Sequence, residues 1–127
     1  MIVRALTIDW NSLAEEIQPF VSESQTHLTA ETEYVVHALS VYKKVVFVLV
    51  IDDIETPVFL PALLFETICK DVPVDWQCNS MLGSDVDLVI GPEFLSRDLD
   101  AYVGMIDQDA DLVASFWGRV GELNEHE

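Results

Sequence analysis

An α+β fold with a mostly antiparallel sheet is predicted by three features of this chain. Half of its 127 residues are apolar, whereas disordered acidic segments hold too few apolar residues to build a core. Its centre carries two β-rich runs divided by the short polar break Lys43-Lys44, the pattern of an antiparallel hairpin. Its last quarter carries apolar residues at alternating spacings of four and three, the period of an amphipathic helix. A chain of this length is expected to form one acidic α+β domain over residues 1–127 and to bury roughly two thirds of its unfolded surface.

Taken in order, residues 2–8 are apolar and β-branched enough for a short strand or an extended arm. Asp9 or Asn11 then caps an expected N-terminal helix reaching Val21, with Leu13, Ile17 and Phe20 on one side. Pro19 shortens or kinks it, because proline lacks the N–H and clashes with the preceding turn. Ser22 to Thr32 is polar and reads as a loop. Glu33 to Val41 and Val45 to Ile51 are the two arms of the hairpin, and the unbroken apolar run of the second predicts a central strand buried on both faces. A turn over 52–57 leads to a strand at 58–60. Pro61 opens an expected helical stretch from Ala62 to Cys69. After a break at 71–75, strands are expected at 76–81 and 86–90, around a turn at Gly83-Ser84-Asp85 and ending at Gly91-Pro92. Leu99, Val103, Ile106, Ala110, Val113, Trp117 and Val120 then form a heptad seam on one long C-terminal helix, capped by Ser96 and packed on the sheet.

Charge bounds the function. The chain has 23 Asp and Glu against 6 Lys and Arg, a formal net charge of −17. Six scattered cations cannot form a phosphate-tracking stripe, so direct nucleic-acid binding is excluded. The same surface repels anionic membrane and attracts basic proteins. The longest apolar run, Val45 to Ile51, is far short of a membrane span. The N-terminus does not read as a signal peptide, and Cys69 and Cys78 read as free thiols. A cytoplasmic location is therefore expected.

No catalytic, cofactor or metal motif stands out. Asp107-Gln-Asp109-Ala-Asp111 begins like a calcium loop, but Leu112 and Gly118 occupy the positions that need Gly and Glu. Ile51-Asp52-Asp53 is similar to the acidic pocket of response-regulator receivers, yet the later phospho-acceptor strand and its lysine have no counterpart. His27, His37 and His126 lack metal spacing. No catalytic residue, cofactor or metal ligand is assigned. Any single acid is most simply a solvated surface charge, but the imbalance as a whole carries a self-repulsion that calls for a basic partner. The candidate partner-binding set is Asp85, Asp87, Glu93, Asp98, Asp100, Asp107, Asp109 and Asp111, with Trp76 as a partly exposed aromatic anchor. Reversing Asp107, Asp109 and Asp111 is expected to weaken the partner without unfolding the domain.

In general character, across its whole length, this small acidic α+β chain without a catalytic motif resembles the immunity proteins of bacterial polymorphic and contact-dependent inhibition toxin systems. The resemblance implies a basic partner, the C-terminal toxin domain of a larger protein and often a nuclease, neutralised by charge-complementary occlusion. Three other readings stand beside it. They are a nucleic-acid mimic that inhibits a DNA- or RNA-binding protein, a small enzyme or ligand-binding domain with an apolar pocket, and a subunit of a larger assembly whose helical seam is exposed.

Overall fold

The computed structural model describes residues 1–81 and 83–125, with side chains as far as Glu122; His126 lies outside it. Among the described residues, strands β1 (Ile2–Ala5), β2 (Glu33–Val35) and β6 (Phe65–Cys69) form a small antiparallel sheet, ordered β2-β1-β6. Strands β3 (Ala38–Tyr42), β4 (Val45–Ile51), β5 (Pro57–Pro61), β7 (Gln77–Ser80) and β8 (Val86–Gly91) form a larger one, ordered β5-β4-β3-β8-β7 and also antiparallel. Helices α1 (Glu93–Ser96), α2 (Leu99–Ile106) and α3 (Ala110–Glu125) follow.

The larger sheet is the middle layer. Side chains alternate across a strand, so Val48 and Val50 of β4 face one way, into a core with Val3, Ala5, Tyr34 and Phe65 of the small sheet. Leu49 faces the other way and meets Ala38, Leu95, Met105 and Phe116 beneath the helices. Residues 47–50 of β4 are consequently buried without interruption.

Three expectations about the fold are overturned. First, there are two sheets rather than one. The run from 33 to 41 divides at Val36-His37, where Val36 donates to Met1 O and His37 to Leu49 O. Its first part joins β1 and its second joins β4. Second, there is no N-terminal helix. Asp9 accepts from Asn11 N and Ser12 Oγ to make a turn, and only a 3-10 turn at Gln18–Phe20 forms around Pro19. The helix expected over 62–69 is likewise a 3-10 turn (Ala62–Leu64) followed by β6, because the edge of β1 offers Phe65 to Cys69 a ladder of hydrogen bonds.

Third, the long C-terminal helix is three helices. Ser96 does not cap it; its buried hydroxyl donates to Gly91 O and Pro92 O at the end of α1. Asp98 caps α2 by accepting from Ala101 N at 2.8 Å. At the other end of α2, Gln108 takes φ 60°. Gln108 N there donates to Met105 O and Asp109 N to Gly104 O, the pair of bonds that closes a Schellman motif. Asp109 then caps α3, accepting from Asp111 N and Leu112 N. The break resets the helical phase. Tyr102, Met105 and Phe116 are buried, whereas Leu99, Val103, Ile106 and Trp117 of the expected seam are 36–50% exposed.

Gly104 marks the place where α3 lies against α2, since a Cβ there would overlap Leu112 Cδ1, whereas Gly118 faces open space. Gly118→Ala should therefore raise stability by about 1 kcal/mol from helix propensity, whereas at Gly104 the shift forced on the Leu112 side chain offsets that gain, so Gly104→Ala should raise stability by less than Gly118→Ala does. Urea midpoints of the two variants check this. The β3–β4 hairpin turns on two residues, Lys43 and Lys44, at φ 48° and 66°. This is the type I′ geometry that favours Asn-Gly. A Lys43→Asn, Lys44→Gly double variant should gain about 1 kcal/mol by relieving left-handed strain, read as a higher melting temperature.

Candidate functional site

All eight candidate acids are exposed, but the fold gathers only half of them. Asp98, Asp100, Asp109 and Asp111 line one groove of about 460 Å³ between α2 and α3, with Arg97, Ser115 and Gly104. The helix breaks create this gathering, because each break places a capping Asp and a first-turn Asp at a new helix start. Asp98 and Asp109 thus have structural work as N-caps, and Asp100 and Asp111 stand at the favourable end of a helix dipole. Reversing Asp109 to Lys would remove a cap, so the expectation that the 107/109/111 reversal spares the fold is corrected. Asp107 ends α2 and makes no side-chain hydrogen bond among the described residues. Asp85 lies in the turn before β8, Asp87 on β8 and Glu93 at the start of α1, outside the groove. Trp76 is half-buried against the core under the small sheet and is not among the groove residues.

Few cations oppose these acids. Arg119 is held by Asp75 in a fork at 2.6 and 2.9 Å, which keeps the Asp75 carboxyl below its usual range. Arg4 pairs with Glu66 at 3.0 Å. In the groove Arg97 approaches only Asp98, at 4.0 Å.

Beside the acids runs an apolar ridge that sequence reasoning placed in the core. Leu99, Val103 and Ile106 occupy the outer face of α2 at 36%, 42% and 50% exposure. Asp100 and Asp107 flank them in sequence. The sequence signal was present, but spacing alone does not say which way an apolar stripe faces.

On the far side of α2 from the groove is a cavity of about 420 Å³. Its walls are aromatic. Phe20 from the 3-10 turn packs edge-on to Phe47 at 5.1 Å and to Tyr42 at 5.8 Å, and Phe59 packs edge-on to Tyr102 at 5.0 Å. Nothing in the sequence singles out these aromatics as a group, because their convergence depends on strand register and on the path of the irregular segment before β2.

The acidic pair Asp52-Asp53 builds a turn. Asp52 is buried and accepts from Ile54 N and Thr56 N. Asp53 accepts from Tyr34 Oη and Thr29 Oγ1, both at 2.7 Å, bonds that hold its carboxyl below the usual range. Cys69 and Cys78 are not disulfide-bonded. Among the described residues no group of three His, Cys, Asp or Glu could hold a metal ion, and no helix is long and apolar enough to cross a membrane.

No protein family, curated protein or solved structure matches this chain.

His37 sits at the corner between the two sheets, edge-on to Phe116 of α3 at 5.1 Å. Burial lowers its pKa to about 4, with the positive charges of Arg119 and the N-terminal ammonium adding to the effect. Because the folded value lies below the unfolded one, the unfolded chain takes up the proton first as pH falls. The stability held by neutral His37 is complete above about pH 6.5 and is lost towards pH 4, by roughly 3 kcal/mol at most. A His37→Gln variant should show a flatter stability curve between pH 6.5 and 4. Urea unfolding of both proteins across that window checks the difference, and the carboxylates common to both cancel.

Proposed function

We infer that this protein is an inhibitor of the immunity type, which captures a basic toxin domain in the cytosol and occludes its active surface. The observation that carries this reading is the α2 face, where an exposed apolar ridge of Leu99, Val103 and Ile106 runs beside an acidic groove. Apolar anchors within a charged surround are how tight protein interfaces are built. The acids steer a basic partner and speed its capture, while desolvated apolar contacts slow its release. The ridge also separates this reading from a nucleic-acid mimic, which needs phosphate-like acids rather than an apolar strip. The exposed seam keeps a subunit of a larger assembly as the second reading. In that case the same face binds a permanent neighbour whose association hardly responds to salt.

The test starts from the reading frame immediately upstream of the gene. Its C-terminal domain, expressed alone, should arrest growth, and co-expression of this protein should restore it. The purified pair should associate more slowly as salt rises from 0.05 to 0.5 M, because screening removes the steering. Changing Asp98, Asp100, Asp109 and Asp111 together to Asn retains the cap acceptors and should weaken binding by more than tenfold with an unchanged circular dichroism spectrum. Ile106→Ser should weaken it by a similar factor through the release rate. An upstream product that is harmless, or rescue that survives both variants, would remove the reading.

A further inference from the structure

We propose that the cavity between α2 and the larger sheet is a binding site for a small organic cation, an aromatic or alkyl body carrying an ammonium group. It shares no residue with the acidic groove, but its mouth includes Val103 and Ile106 of the α2 ridge invoked for a protein partner. Its volume, about 420 Å³, falls within the range of small-molecule sites. Its floor is closed, since Phe47, Val86, Tyr102 and Met105 are all at most 5% exposed. Its mouth is formed by exposed Val103, Ile106 and Gln108. A single side chain from a partner would leave most of this space unfilled, which favours a free molecule.

The charge of the ligand follows from the walls and from what lies around them. Among the described residues no Lys or Arg lines the cavity, and the protein around it carries a net charge of −17. Asp85 and Asp107 adjoin the lining residues Val86 and Ile106 in sequence. Aromatic faces attract cations through the ring quadrupole, and the chain already uses this at Tyr42, where the Lys43 ammonium stands 5.4 Å from the ring centroid. The polar group at the mouth is also matched to a donor. Gln108 Nε2 donates to Pro57 O at 3.1 Å and to Met105 O at 3.3 Å, so the remaining capacity of this amide is its acceptor oxygen. An ammonium group supplies only donors. The Tyr102 hydroxyl is occupied with Ser40 at 2.9 Å.

Three probes of one shape and different charge test the site at pH 7 and moderate salt: 4-phenylbutylammonium, 4-phenylbutanol and 4-phenylbutyrate. Methyl NMR should show shifts confined to Val86, Met105, Ile106 and their neighbours, with affinity falling at least tenfold from the cation to the carboxylate and the alcohol between them. Val103→Trp, at an exposed position on the mouth, should abolish the shifts while the β3 and β4 amide resonances stay in place. Gln108→Lys provides a second variant, in which a cation at the mouth should expel the ammonium probe but not the alcohol. The proposal is overturned by absence of localised shifts at millimolar probe, by equal affinity for all three probes, or by shifts that follow the surface acids instead of the cavity methyls.

Discussion

Burial of β4 on both faces is the constraint on which the rest of the structure depends. Val48 and Val50 belong to the core beneath the small sheet, and Leu49 belongs to the core beneath the helices. A strand apolar on only one face would support a two-layer protein. Here the small sheet must cover one side and the helices the other, since either face left open would expose contiguous apolar surface to water. The corner at Val36-His37 serves the same requirement, because it lets one stretch of chain supply β2 to the small sheet and β3 to the large one.

The helical layer is shaped by short polar side chains rather than by apolar spacing. Asp98 and Asp109 each restart a helix, and Gln108 in the left-handed region closes α2 between them. The result is a layer that dips to bury Tyr102, Met105 and Phe116. It leaves an apolar ridge outside, an acidic groove on one side of α2 and an aromatic cavity on the other. Much of the acidity is therefore also architecture. Asp9, Asp52, Asp53, Asp98 and Asp109 all accept hydrogen bonds that define turns or caps. Those of Asp9, Asp52, Asp98 and Asp109 hold backbone donors that would otherwise lack partners, whereas Asp53 holds the Tyr34 and Thr29 hydroxyls. Asp100, Asp107 and Asp111 accept no such bond among the described residues, and Asp100 and Asp107 adjoin the exposed Leu99 and Ile106 in sequence. That adjacency, more than the net charge, gives the α2 face the character of an interface.

Sequence by itself determined the local facts. The apolar run 45–51 is a strand, buried on both faces over its centre at 47–50, because consecutive apolar residues leave it no polar side. Lys43-Lys44 is the hairpin turn, strands follow at 57–61, 77–80 and 86–91, and the net charge is what the composition says. What only tertiary structure decided was everything that depends on partners distant in the chain. Phe65 to Cys69 reads as helix after Pro61, yet it extends because β1 supplies its hydrogen bonds. The residues before Pro19 read as a helix, yet the segment crosses the sheet and delivers Phe20 to the cavity. The seam from Leu99 to Val120 satisfies a heptad, yet Leu99, Val103 and Ile106 face outward on α2 while Val120 of α3 packs on the core, and periodicity cannot report which face of a helix meets the core. The grouping of Asp98 and Asp100 with Asp109 and Asp111, and of Phe20, Phe47 and Phe59 with Tyr42 and Tyr102, follows from register and crossing. Neither is encoded in spacing along one chain, because each arises from the three-layer packing that β4 imposes.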